Sequence, residues 1–208
     1  VVAAALRIVD RDGLAALTMR ALGRELGVDP MAIYHWVPSK DALLDLIVDA
    51  VYLEIPLDME LPPGGWQDHF KLAAEIYRGV LRRHPRALPV LATRPATSLA
   101  ALRPSEYGIG ILRKGGFSPQ DSLDGLNAMA NLVMGLVLAE VGLAPGAESD
   151  VSNEDRMALF SQLTPEEFPY IIEALSATTW DCDRQFHFGM DALIRGLEAR
   201  LEAGGSRS

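Results

Sequence analysis

Between Thr18 and Lys40 the chain reads TMRALGRELGVDPMAIYHWVPSK, and two short helices joined by a tight turn are what this pattern accommodates. Thr18 is expected to cap the first helix, its hydroxyl accepting a hydrogen bond from a free backbone N–H one turn on. Leu22 and Leu26 lie four apart and share a face, with the small Ala21 beside it. Gly27 falls where a helix ends in left-handed backbone, a conformation that costs glycine nothing. Val28 is expected beneath the turn. Asp29 and Pro30 open the second helix, Asp as cap and Pro in the first turn, where its missing N–H is not needed. Ile33 and Val37 are then expected to face the core, leaving Met31, Ala32, Tyr34 and His35 on the outer side. This is a helix-turn-helix unit, whose second helix can enter a DNA major groove.

The rest of the chain is patterned for helices. Val1 to Arg11 has Val2, Ala5, Leu6 and Val9 on one face and stops at Asp12-Gly13. Ser39 caps a helix reaching about Ile55, with Leu43, Leu44, Ile47, Val48 and Val51 as its apolar stripe. Pro56, Pro62, Pro63, Gly64 and Gly65 break the period, which divides the chain into residues 1–55 and 56–208. Further helices are expected from Trp66 to His84, from Ser98 to Lys114 with an interruption at Pro104, from Ser118 to about Leu143, and from Asp183 to about Glu202. Thr164-Pro165-Glu166-Glu167 reads as a capping box that opens another helix, ending near Ser176. Ala144 to Asp155 is polar and reads as a loop. No strand and no repeat is found, so the fold expected is all-α.

The chain of 208 residues carries a net charge of −9, which argues against a general nucleic-acid binder. Residues 1–45 hold five basic and six acidic side chains, so that part is near neutral and the acidic excess lies elsewhere. DNA binding through this part should be modest in non-specific affinity and strongly salt-dependent. A basic arm ahead of Val1 would make up the shortage of cations. The single Cys182 allows no internal disulfide, no signal peptide is visible, and no apolar run is expected to be long enough to span a bilayer, so a cytoplasmic protein without a membrane partner is expected.

Leu17, Thr18, Arg20, Leu22, Leu26, Gly27, Val28, Tyr34, Val37, Lys40 and Ala42 to Leu44 closely resemble the DNA-binding unit of TetR-family transcriptional repressors. WQD at Trp66, TRP at Thr93, GGFS at Gly115 and FGMDALIRGLEARL at Phe188 resemble the ligand-binding half of the tetracycline-repressor branch. The resemblance implies an N-terminal three-helix helix-turn-helix domain followed by a larger helical ligand-binding and dimerisation domain. It implies DNA contact by Arg20 and by Pro30, Met31 and Ala32 at the leading end of the recognition helix, with Tyr34 and Lys40 on phosphates. Thr18, as the cap, and His35, with one or two donors, complete the candidate DNA-binding set. Arg20 has the fork that pairs with guanine. Pro30 stands where the tetracycline repressor has a glutamine, so a different operator is expected.

For a ligand, the resemblance implies Tyr77, Thr93, Arg94, Leu126, Asn131 and Met134, with Ala73 and Val90 at further matching positions. Asn127, four residues before Asn131 on an otherwise apolar helix, is added because a buried amide needs partners. Pocket residues are expected from the helices between Trp66 and Leu143. Val90 and Ala139 stand where the tetracycline repressor holds a magnesium-chelated drug through a histidine and a glutamate. The effector expected is therefore an apolar or aromatic small molecule, with no cofactor and no metal. The helices opening at Ser118 and Asp183 have apolar surface to spare. Both could be ordinary core helices, but the resemblance favours a homodimer through a four-helix bundle, reading palindromic double-stranded DNA.

His35, His69, His84 and His187 show no metal-ligand spacing, and no phosphate loop or nucleophile motif is present, so no enzyme is expected. Two functions stay open on the sequence: a ligand-released repressor, and a helical carrier for a small apolar molecule that does not bind specific DNA.

Overall fold

The computed structural model describes residues 1–58, 60–141, 158–177 and 181–205. All regular structure among the described residues is helical. The elements are α1 (Val2–Asp12), a 3-10 turn (Leu14–Ala16), α2 (Met19–Leu26), α3 (Pro30–Ile33), α4 (Lys40–Tyr52), α5 (Trp66–Arg83), a second 3-10 turn (Pro85–Ala87), α6 (Leu88–Leu91), α7 (Arg103–Lys114), α8 (Pro119–Glu140), α9 (Pro169–Ala177) and α10 (Cys182–Gly205).

The N-terminal helices form because their ends are capped from within. Thr18 Oγ1 accepts from the Ala21 N–H at 3.0 Å, Asp29 Oδ1 from Met31 at 2.7 Å and Ser39 Oγ from Ala42 at 3.0 Å. Gly27 is left-handed at φ 68°, and its N–H returns to the Arg24 carbonyl. Gly23 has no room for a side chain, since a Cβ there would lie 2.9 Å from the Val28 carbonyl oxygen. α1 lies against α2 and α4, and Ala5, Val9, Leu17, Leu22, Ile33, Val37, Leu43 and Ile47 close the core between them.

In the larger part, α8 is the central post, with α5, α7 and α10 packed on it. Phe70, Phe117 and Phe186 are fully buried, and Trp66 meets the Phe117 ring edge-on at 4.8 Å. Burying each of these rings contributes about 3 kcal/mol. Arg78 of α5 is buried with them. Its guanidinium bonds Asp183 at 2.7 Å and Glu140 at 3.3 Å and covers the Phe186 ring, so the charge is paired where an unpaired one would be costly.

Two sets of polar contacts join the halves. His84, buried at the end of α5, places Nδ1 3.0 Å from Asp10 of α1 and Nε2 2.9 Å from Glu54, just past α4. Arg83 also bonds Glu54, and Arg86 bonds the Arg11 carbonyl. The second set joins the segment after α6 to the face of α4. One continuous hydrophobic core runs through both halves.

The structure corrects several local expectations. Val28 is 45% exposed, not beneath the turn: its N–H bonds the Gly23 carbonyl, and this closure points the side chain outward. The second helix of the motif is one turn, with Tyr34 as its C-terminal cap residue and His35 and Trp36 in the turn that follows. Pro104 does not interrupt a helix but starts α7 from its first turn, where the missing N–H is harmless. Thr164 opens no helix. Its carbonyl accepts from Glu167 and Phe168 in an isolated turn, and α9 begins later, at Pro169. α8 is long and apolar enough to cross a membrane by length and composition, because Leu, Val, Met and Ala crowd it; its Leu126, Met129, Val133 and Val137 are buried in the helical core instead. The expected loop at Ala144 to Asp155 lies outside the described residues.

Candidate functional site

Two surfaces carry functional potential: the outer face of the N-terminal motif and a cavity in the larger half.

On the motif, α3 buries only Ile33, and Val37 follows it into the core. Thr18, Met31, Ala32, Tyr34, His35 and Lys40 are exposed and Pro30 is half-buried, so this part of the expected set shares the open side of the unit. Met31 is 69% and Tyr34 42% exposed. Arg20, near the start of α2, is exposed as well. The cations divide in two. Arg7 and Arg11 are taken by Glu25 and Asp12. No described residue forms an ion pair with Arg20, Arg24 or Lys40. Free cations beside an exposed one-turn helix form a surface that suits a phosphate backbone and base edges.

Trp36 is missing from the set read in the sequence. It is 79% exposed, the most open large hydrophobic side chain of the motif. This open indole, two residues past the exposed Tyr34, joins the side chains that the motif offers to a partner. The signal was the aromatic triplet Tyr34-His35-Trp36 between two core positions, Ile33 and Val37.

The cavity, of about 360 Å³, lies between the end of α4, α5, α7, α8 and two connecting segments. Its wall is apolar: Leu72, Ala73 and Ile76 from α5, Tyr107 and Gly108 from α7, Leu126, Met129 and Ala130 from α8. Tyr52 and Tyr77 stack with centroids 6.3 Å apart. Burial pushes the Tyr77 phenol up, with Tyr52 beside it adding to the effect, so it stays a neutral hydroxyl. Ser105, Asn127 and His69 are the other polar groups at the wall, and among the described residues that line it none is Asp, Glu, Lys or Arg.

Of the ligand residues expected, Tyr77, Leu126 and Asn127 line this cavity, as does Ala73. Thr93, Arg94, Asn131 and Met134 do not. The Thr93 hydroxyl donates to the Pro89 carbonyl at 2.7 Å and finishes α6. Arg94 turns away from the cavity onto Asp41 and Asp45 of α4, both at 2.6 Å. Asn127 and Asn131, four apart, are both exposed, so neither is the buried amide expected; Asn127 reaches the cavity wall and Asn131, one turn further along α8, lies beyond it. Met134 is half-buried against the core. Val90 is core and lines nothing. Nor does the wall come only from beyond Trp66: Tyr52, Ile55, Pro56, Leu57 and Leu61 contribute to it. The proline-rich connection folds back over the cavity, and His69 Nε2 meets the Pro62 carbonyl at 2.9 Å. Connections cannot be assigned to a wall from periodicity, since they have none.

Comparison with known proteins agrees with this geometry. The family model for bacterial regulatory proteins of the tetR family matches residues 1–47, and that for the tetracyclin repressor-like C-terminal domain matches residues 59–201. An HTH-type transcriptional regulator of Saccharopolyspora erythraea is 34% identical, over 96% of this chain and 83% of its own length. The class D tetracycline repressor protein of Escherichia coli is 31% identical over 98% and 89%. Among solved structures, the Streptomyces coelicolor TetR family protein ActR in complex with actinorhodin superposes with a TM-score of 0.82 at 28% identity, covering 96% of this chain and 95% of that one. Matched in both halves, the chain belongs to the tetR family of bacterial regulatory proteins.

Proposed function

We propose that this protein is a transcriptional repressor which binds a palindromic operator as a homodimer and leaves it when a small molecule fills the cavity. The observation that carries the reading is the outer face of the motif. On a chain of net charge −9, three unpaired cations and the exposed Met31, Tyr34 and Trp36 are gathered on the one unit shaped to enter a groove.

Residues 1–55 serve as the DNA-binding domain and residues 56–208 hold ligand and partner. Arg20, Pro30, Met31 and Ala32 face bases, Arg20 through its guanidinium fork and the others through apolar contact. Tyr34, His35, Trp36 and Lys40 face the backbone, and Thr18 holds the first helix in place. The partner is a second copy. Phe188 on α10 is 76% exposed, Leu123 on α8 44%, and α9 shows Tyr170, Ile171 and Leu175 with none of its residues buried. Covering these faces in a symmetric bundle sets two recognition helices one DNA turn apart.

Tyr77, Leu126 and Asn127 hold the effector, together with Tyr52, Leu72 and Tyr107. The solved ActR structure contains actinorhodin, and the equivalent half of this chain encloses an apolar, aromatic-walled space. The effector is an uncharged, apolar or aromatic molecule: a wall whose described residues include no Asp, Glu, Lys or Arg gives an ion little in exchange for its hydration. Val90 and Ala139, as non-ligating side chains, leave no place for a magnesium-chelated drug. The role is binding without turnover, and it is carried out in the cytoplasm, where the operator is.

To displace DNA, the effector must bind the DNA-incompetent state more tightly. The test is selection of bound duplexes from a random pool, followed by titration of the enriched sequence. A palindrome bound by the unmodified chain and lost on Tyr34→Ala supports the reading. If a chain that melts cooperatively enriches no sequence, the reading is wrong.

A further inference from the structure

α4 carries Asp41, Asp45 and Asp49 at four-residue intervals, so three carboxylates stand on one face of a single helix. Unpaired, such a row repels itself. Here one segment takes all three. Arg94 Nη2 donates to Asp41 Oδ1 at 2.6 Å; its Nη1 donates to Asp45 Oδ1 at 2.6 Å and to the Asp41 carbonyl at 3.3 Å. The Thr97 N–H donates to Asp49 Oδ1 at 2.9 Å and its hydroxyl to Oδ2 at 3.2 Å. Between these two anchors, Pro95 and Ala96 line the cavity. The segment is therefore a strap with one side on the ligand space and the other on the helix that follows the recognition helix.

The position of the row matters. Asp41 is next to Lys40 in the first turn of α4, with its side chain 79% exposed. The DNA-binding half has no excess of cations, so two bare carboxylates at this end would act on the phosphates that Lys40 approaches. Asp41 adjoins Lys40 and Asp45 follows one turn on, about 6 Å along the axis, against a screening length of about 10 Å at 0.1 M salt.

We propose that Arg94 is a charge mask for the DNA-facing end of α4, carried on the cavity wall, so that an occupant which displaces Pro95 and Ala96 uncovers Asp41 and Asp45 and repels the operator. The proposal rests on the DNA-binding reading above and adds to it a term of charge, separate from any change in the distance between two recognition helices. Arg94 is a positioning residue in this scheme: it touches neither DNA nor effector.

The experiment uses the duplex selected by the unmodified full chain, with affinity measured at about 0.1 M and about 0.3 M salt. Arg94→Gln is expected to weaken binding about tenfold at the lower salt, from two carboxylates in each of two protomers, and the loss should narrow at the higher salt. Arg94→Lys, which keeps the charge without the fork, should retain most of the affinity. Adding Asp41→Asn and Asp45→Asn to Arg94→Gln should restore it. If Arg94→Lys is as weak as Arg94→Gln, or removing the carboxylates restores nothing, Arg94 is a geometric clamp and the mask is wrong.

The coupling to the cavity is read with Ala96→Trp, a side chain that fills the space from its wall. Lost affinity that returns with Asp41→Asn and Asp45→Asn supports the coupling. Full retention of affinity, or loss that the two neutral residues do not mend, overturns it. Failure of the unmodified chain to select any duplex would instead overturn the DNA-binding reading, and is seen before any variant is made.

Discussion

The motif and the cavity are built in opposite ways. From Thr18 to Lys40 each turn is closed by a bond to a residue two to five positions away: Ala21 to Thr18, Met31 to Asp29, Val28 to Gly23. Beneath it Leu17, Leu22, Ile33 and Val37 are packed solid. The cavity draws its wall from Tyr52 to Ala130, through four helices and two connections, and is defined by what fails to fill it. A surface that must present side chains in fixed register gains from local closure and a dense floor. A site that must admit a molecule needs the reverse, walls from elements that can shift against one another.

The largest expected effect tests that contrast directly. Leu22→Ala removes a side chain with no exposure and should destabilise the fold by about 3 kcal/mol. Leu72→Ala truncates a half-buried side chain that already faces empty space, and should cost about 1 kcal/mol. Thermal or urea denaturation of the two variants gives the comparison. Equal losses would mean that the cavity wall is collapsed in solution, and the contrast would fail.

Affinity for DNA should divide the regions the other way. Arg20→Ala on the exposed face is expected to cost about 2 kcal/mol of binding to the selected duplex while changing stability by about 0.5 kcal/mol or less. Leu72→Ala should leave DNA affinity as it was. A loss of binding from Leu72→Ala equal to that from Arg20→Ala would show that the empty cavity already holds the motif in place.

The same difference explains what the sequence disclosed. Caps, the left-handed glycine and the proline start act over a few residues, so the helix-turn-helix unit could be read off residue by residue. Val28 was the exception, because the choice between inward and outward depends on one backbone bond to Gly23. In the larger half, helix faces were readable from their period, while Ala73, Tyr77 and Leu126, which the family resemblance implied, line the cavity. Ile55, Pro56, Leu57 and Leu61 were not legible as wall, because chain reversal at a proline-rich connection has no period to follow. Arg94 was misread for a related reason. A cation beside a turn looks the same whether it points at a ligand or at carboxylates some fifty residues earlier in the chain, and only the interval of Asp41, Asp45 and Asp49 hinted at the second.

The cap of α2 gives an effect of intermediate size. Thr18→Ala removes the acceptor of the Ala21 N–H and should cost about 1 kcal/mol. Because the first helix of the motif carries Arg20, the same variant should weaken DNA binding more than its small loss of stability explains. Thr18→Ser keeps the oxygen and should restore both. A stability loss unaccompanied by a loss of affinity would show that α3 alone presents the DNA-facing groups.

The smallest effect expected lies where the two regions meet. Burial alone would raise the Asp49 carboxyl, but bonds from the Thr97 N–H and hydroxyl and from Ser98 outweigh it and hold the group below its ordinary value of 3.8. The folded carboxyl thus binds its proton less tightly than the unfolded one. Its contribution to stability is fully present above about pH 4 and is lost as the pH falls through the lower folded value. Glu54 behaves in the same sense: burial raises it, while Arg83 and His84 more than offset that and hold it below 4.5. Melting temperature should therefore be flat from neutral pH down to about 5 and fall below that. Asp49→Asn keeps an acceptor for the Thr97 N–H but removes the titration, so its profile should fall less steeply in acid than that of the unmodified chain, with little change at neutral pH. Identical slopes would mean that Thr97 does not hold Asp49 in solution, and the strap would then be anchored to α4 by Arg94 alone.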